Sequence, residues 1–153
     1  MLYLILQLGE ERYALDTSRI VEIVPYVNLK PVPHAPGYVS GVFNFRSTLV
    51  PVIDLCCIVS GQPSRTWLTT RIVVVEYPLD EPGRETRELG LLVEQVSDTR
   101  KLDDSQFESP GIAMPDSPYL GDIARLEDGL VQRVEARQLL PDTVRNLLFQ
   151  EYA

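Results

Sequence analysis

The 153-residue sequence is short of the side chains from which most catalytic sites are built. It holds one histidine, His34, and two cysteines, the adjacent Cys56 and Cys57. Neighbouring cysteines rarely meet disulfide geometry, and two ligands cannot close a structural zinc site. The pair reads as small apolar core residues. A histidine-based triad would have to use His34, which lies in a proline-rich loop, and no G-x-S-x-G elbow accompanies it. Neither G-x-x-x-x-G-K-[ST] nor G-x-G-x-x-G occurs, so the backbone cradles that hold phosphates are missing. Positive charge is scarce as well. Fourteen Lys and Arg face 22 Asp and Glu, for a formal net charge of −8. That balance argues against nucleic acid and anionic membranes, which are bound through clustered cations. No window approaches the ~20 apolar residues of a membrane helix. "MLYLILQLGEER" also lacks the basic start and small-residue cleavage site of a signal peptide. A cytoplasmic chain with no cofactor, no metal and no membrane insertion is expected.

Apolar periodicity is what the sequence has in quantity. Its hydrophobic fraction of 44% supports a packed core, and its length fits one domain or two small halves. "LYLILQL" (Leu2 to Leu8), the turn cluster "GEER" and "YAL" (Tyr13 to Leu15) read as a hairpin. Asp16 is placed to cap a helical turn through Thr17 and Ser18. "RIVEIV" alternates, with Ile20, Glu22 and Val24 on one face and Val21 and Ile23 on the other. Pro25, Pro31, Pro33 and Pro36 keep the chain irregular up to Gly41. "GVFNF" and "LVPVI" then pair as a hairpin, followed by a short helix ending at Gly61. "TRIVVVEY" (Thr70 to Tyr77) is a nearly continuous apolar strand. The polar "PLDEPGRETRE" is an exposed hairpin loop leading to the partner strand "LGLLVEQVSD" (Leu89 to Asp98). "YLGDIARL" and "GLVQRV" form a last hairpin turning at Glu127, Asp128 and Gly129. A helical stripe of Val144, Leu147, Leu148 and Tyr152 after Pro141 predicts the main helix. Many short strands with turns between them predict a mainly β fold, either small barrels or a sandwich.

Chemistry is hard to place on these elements. Asp80, Glu81, Asp103, Asp104, Glu127 and Asp128 fall in turns, where carboxylates are solvated rather than catalytic, and no calcium-loop signature is present. Arg46 stands out by elimination. Extended geometry puts Val42, Asn44 and Arg46 on one face, opposite Gly41, Phe43 and Phe45, so Asn44 and Arg46 project together, toward the outside or into a cleft. An arginine there serves either a protein interface or an ion pair within its own domain.

The order of segments resembles a known family. "FNFRSTLVPVIDL" is similar to the N-L-R-G-x-x-x-P-v-x-D-L signature of CheW-like proteins, the coupling proteins of bacterial chemosensory arrays. "YALDTSRIVEIV", "PGYVSGVFN", "TRIVVVE", "LGLLVEQVSD" and "YLGDIARLEDGLVQRVEARQLL" occupy the matching positions, covering nearly the whole chain. The resemblance implies one domain, residues 1–153, made of two five-stranded SH3-like β-barrels packed together with a C-terminal helix. It implies no catalysis. The partners it implies are the regulatory domain of a CheA-type histidine kinase and the cytoplasmic tip of a chemoreceptor. The kinase-facing surface would then include Ile20, Glu22 and Gly41, with Asn44 and Arg46 beside it. Ile72 and Val73 would meet the receptor along the groove between the barrels. Two departures stand out: the family glycine after the arginine is Ser47, and the loop from Pro78 to Glu88 is longer than a tight hairpin requires. They fit a divergent coupling protein in a pilus or surface-sensing pathway. Rival readings are a receptor-selective coupler, a barrel holding a small molecule in its groove, and an enzyme using Glu22 or Asp54.

Overall fold

Apolar runs such as "LYLILQL" and "RIVVVEY" need cover on both faces, and two packed sheets supply it. The computed structural model describes residues 1–81 and 84–149. The first sheet has the order β8-β1-β2-β11-β10-β9, comprising Gln95–Lys101, Leu2–Leu8, Glu11–Asp16, Gly129–Val134, Leu120–Leu126 and Phe107–Glu108. The second has the order β3-β6-β7-β5-β4, comprising Ile20–Pro25, Arg71–Glu81, Arg84–Val93, Thr48–Asp54 and Val39–Phe45. Each curls into a small barrel. The two are mainly β, as expected, except that the first has a sixth strand, the two-residue β9.

Alternation along the strands divides the interior into three cores. Tyr3 and Ile5 of β1 point into the first barrel with Phe107, Ala124 and Val131. Ile72 and Val74 of β6 point into the second barrel with Val50, Val52 and Leu92. The opposite faces carry Leu4, Leu6 and Leu8 of β1, Val73, Val75 and Tyr77 of β6, and Leu89, Leu91 and Val93 of β7. They meet in a larger core between the barrels. Gly90 lies on the inner face of the second barrel, where a Cβ would come within 2.9 Å of both Ile72 and Val52.

The chain changes sheets twice. Asp16 accepts a bond from the Ser18 N–H at 2.9 Å and caps the 3-10 turn Thr17–Arg19, as the sequence predicts. The return occurs at Glu94, which interrupts the single strand expected over Leu89 to Asp98 and sends β8 to the other sheet. In the segment expected as a hairpin loop, Pro78 to Glu88, the described residues instead continue both strands outward, with a register shift between Pro78 and Glu81, and residues 82–83 lie outside the described residues. Helix α1 (Leu55–Ser60) is capped by Asp54 and closed by Gly61 at φ 78°. Helix α2 (Asp142–Leu148) has only seven residues, with Pro141 as its N-cap. Val144 is buried, Leu147 is 44% exposed, and Tyr152 lies outside the described residues.

Charged contacts tie separate strands together in each barrel. In the first, Asp128 of the β10–β11 turn accepts bonds from Arg12 of β2 at 3.0 Å and Arg100 of β8 at 2.9 Å. In the second, Arg46 beyond β4 pairs with Glu22 of β3, so that the two edge strands are joined. Arg46 is not on the strand, as its alternation suggested. Phe45 pairs with Thr48, and the two residues between them have φ values of 51° and 68°. That is a two-residue type I′ turn, whose twist matches its flanking strands but favours Asn and Gly.

Ser47→Gly should therefore stabilise the protein. Relief of a left-handed L-residue (~1–2 kcal/mol) exceeds the added unfolded-state entropy of glycine (~0.5–1 kcal/mol). A rise in melting temperature of a few degrees is expected by calorimetry; a fall would mean the serine makes a compensating contact. Asp128 gives a pH signature. Hydrogen bonds from Arg12, then Arg100, hold its carboxyl well below the usual carboxylate range. Its contribution is complete above the unfolded value near ~4 and is lost as pH falls below that. Asp128→Asn should be less stable than the parent at pH 7, with the gap narrowing in acid denaturation below pH ~4.

Candidate functional site

A groove of about 670 Å³ follows the open side of the second barrel. Val24 and Pro25 of β3, Val27 beyond it, Phe43 and Phe45 of β4, and Leu49 of β5 give it an apolar lining. Glu22, Asn44 and Arg46 sit among them. The hairpin turn carries Arg46 over the Phe45 ring, with its guanidinium carbon 4.8 Å from the centroid. One guanidinium nitrogen bonds the Glu22 carboxylate. Neither group is sequestered, since the side chains are 64% and 40% exposed. The sequence left open whether Arg46 serves an interface or an internal pair; the pair exists, on the rim of a surface groove.

The remaining candidates separate from this cluster. Gly41 is buried at φ 144°, and a Cβ there would lie 2.5 Å from the Lys30 carbonyl oxygen. Its role is to let the preceding loop pair with β4, where Lys30 and Val42 exchange backbone bonds of 2.9 Å. Ile20 packs against the core between the barrels rather than beside Glu22. A bulge between Ile20 and Glu22 breaks the expected alternation, so that Val21 and Val24 both turn toward the barrel interior and Ile23 is exposed.

Ile72 and Val73 require a correction. Both are 0% exposed, and they sit on opposite faces of β6. As β6 is flanked by β3 and β7, neither side chain reaches a surface on which a receptor segment can rest. The groove between the barrels is lined by other residues. Asp16, Ser18 and Arg19 form one wall, Glu76 and Pro78 of β6 another, and Glu135 to Arg137 a third, enclosing about 240 Å³. Arg19 and Glu76 pair across it at 3.9 Å. Sequence reasoning missed Arg19, Glu76 and Arg137. Their signal was present, as charged residues beside apolar strands, but only the packing of the barrels brings them together.

The groove on the open side of the second barrel, the seam groove, has no Ser, Thr, Cys, His or Tyr in its lining. Asp54, weighed as a catalytic carboxylate, is buried and spent on structure: it accepts from the Cys57 N–H at 3.2 Å, the Ser64 N–H at 2.8 Å and the Ser64 hydroxyl at 2.5 Å. Burial pushes both cysteine thiols above their usual range, away from nucleophilic thiolate character. Among the described residues no group of three or more His, Cys, Asp or Glu is placed to hold a metal. No helix among the described residues is long and apolar enough to cross a membrane. The arrangement offers recognition: apolar relief with fixed charges on its rim.

Comparison with known proteins agrees with this geometry. The CheW-like domain profile matches residues 2–144. A chemotaxis protein CheW from Treponema pallidum is 49% identical over 49 residues, 32% of this chain and 29% of that protein. The chemotaxis protein CheW of Klebsiella aerogenes is 29% identical over 140 residues, 90% of this chain and 80% of that protein. The crystal structure of the scaffolding protein TtCheW from Thermoanaerobacter tengcongensis superposes with a TM-score of 0.79 at 25% identity, covering 94% of this chain and 89% of that one. Two small barrels, a charged pair over an apolar seam groove and a profile match along nearly the whole length lead to one conclusion: the chain belongs to the CheW-like family of chemotaxis scaffold proteins.

Proposed function

We propose that the protein is a non-enzymatic adaptor that couples chemoreceptors to a CheA-type histidine kinase. The observation that carries this reading is the Glu22–Arg46 pair, held on the rim of an apolar groove and left half open to solvent. Surface ion pairs contribute only ~0–1 kcal/mol to stability. Apolar relief beside an arginine fork suits recognition of another protein, because such arginines pack through their stems and pair through a planar head.

On this reading the regulatory domain of the kinase covers the seam groove, contacting Glu22, Asn44 and Arg46. Gly41 serves indirectly, by letting the Lys30 loop lie against β4. The receptor tip occupies the groove between the barrels near Ile20, where Arg19, Glu76 and Arg137 provide polar contacts. The buried Ile72 and Val73 act there only by supporting β6. Two grooves on different elements leave room for two partners on one small protein.

Arg46→Ala tests the kinase side. Loss of an exposed pair should move the melting temperature by no more than a few degrees. Loss of an interface arginine should weaken binding to the kinase regulatory domain by ~2 kcal/mol, about thirtyfold. Calorimetric titration and thermal melting of the same sample separate these effects. Unchanged kinase affinity with a lowered melting point would assign the arginine to barrel closure alone.

A further inference from the structure

Helix α1 and the segments that precede β4, β10 and α2 leave a hollow where they meet. This cavity of about 580 Å³ is walled by Tyr38, Ile58, Tyr119 and Leu139, with Asp116 and Asp142 also in its lining. It shares no residue with the seam groove or with the groove between the barrels. Hydrogen bonds tie its walls in place. The Tyr119 hydroxyl donates to the Ile58 carbonyl at 3.0 Å, and the Tyr119 carbonyl accepts from the Glu135 N–H at 2.7 Å. The Tyr38 carbonyl accepts from the Asp54 N–H at 2.6 Å. Tyr119 and Leu139 are also buried members of the core shared by the barrels. Walls held this way stand ready before a ligand arrives, so binding has little ordering cost to meet. The volume lies in the usual range for small-molecule sites.

The charged groups of the lining have one sign. Asp116 and Asp142 contribute to it, and no Lys, Arg or His does. Asp142 shares its charge with Arg145 at 2.9 Å in its own helix. Asp116 is exposed and forms no ion pair among the described residues, so its charge is unspent. An anion entering the cavity would meet repulsion from these carboxylates and from the net charge of −8. A cation is attracted by the same field, and tyrosine rings present negative faces that attract it further. Ile58 and Leu139 offer cover for an apolar body behind the charge. Four separate chain segments surround one compact volume, which suits a free small molecule better than an extended peptide.

We propose that this cavity binds a small organic cation, an ammonium on a compact aromatic or alkyl body. The charge lies against Asp116, and the body sits among Tyr38, Ile58, Tyr119 and Leu139. Because the site is separate from both partner grooves, it stands or falls independently of the coupling function proposed above. A ligand of this size with one solvent-facing ion pair binds with a dissociation constant of ~0.1–1 mM.

The test uses phenethylamine as the probe, with phenylethanol as its uncharged analogue and phenylpropionate as its anionic one. Each is titrated into the isotope-labelled whole chain while backbone amide signals are followed by NMR. Phenethylamine should shift the amides of Tyr38, Ile58, Tyr119 and Leu139 and reach saturation by ~5 mM. Phenylethanol should bind about fivefold more weakly, and phenylpropionate should leave the cavity amides unmoved. Asp116→Asn should weaken phenethylamine about fivefold without changing the melting temperature, because the side chain is exposed. Cys57 supplies a second readout, since it lines the cavity and, unlike Cys56, is not buried. Saturating phenethylamine should slow its alkylation, and the same concentration should protect it less in Asp116→Asn. Amide shifts that are absent, lie away from the cavity or never saturate would overturn the proposal. So would an alcohol that binds as tightly as the amine, or an Asp116→Asn variant that binds like the parent.

Discussion

Burial of both faces of β1, β5, β6 and β7 is the constraint on which the rest of the structure depends. Each of these strands sends alternate side chains into its own barrel and into the core between the barrels. The barrels' own cores are small, and the shared core is the larger one. The function follows from the same constraint. A strand covered on both sides cannot present side chains to a partner, and recognition is pushed to edges, turns and the lines where the barrels meet.

The edges are where the charged residues act. Arg100 on the edge strand β8 and Arg12 on β2 both hold Asp128, and Arg46 holds Glu22 across the second barrel's open side. The second pair sits on a turn built from two L-residues at positive φ. The conformation persists because the β4–β5 register, the Phe45 side chain in the core and the Glu22 contact all require it. Strain at an exposed arginine is consistent with a position held for what it presents rather than for stability.

The sequence made the elements legible where period and punctuation agreed. "LYLILQL", the helix end at Gly61 and the Glu127–Gly129 turn all stand where the pattern put them. Bulges defeated it, because one extra residue reverses alternation without leaving a composition signal; β3 lost its expected faces that way at Ile20 and Glu22. Glu94 misled for a different reason. As one polar residue in an apolar run it reads as a solvent-facing strand position, whereas its carboxylate is buried and organises two loops. At the candidate site, Arg46 was visible as a charge among aromatics. Its partnership with Glu22 was not, because 24 residues separate them. Ile72 and Val73 failed as contacts because resemblance transfers a strand position but not its cover.

An adaptor needs two partner surfaces that work at once, and the seam groove and the inter-barrel groove draw on different elements. The most direct measurement is the binding of a receptor cytoplasmic fragment to the protein already saturated with the kinase regulatory domain, followed by light scattering after size-exclusion chromatography. Coupling through separate grooves predicts a ternary complex, with receptor affinity little changed by the kinase. Displacement of one partner by the other, or no binding of either, would contradict it.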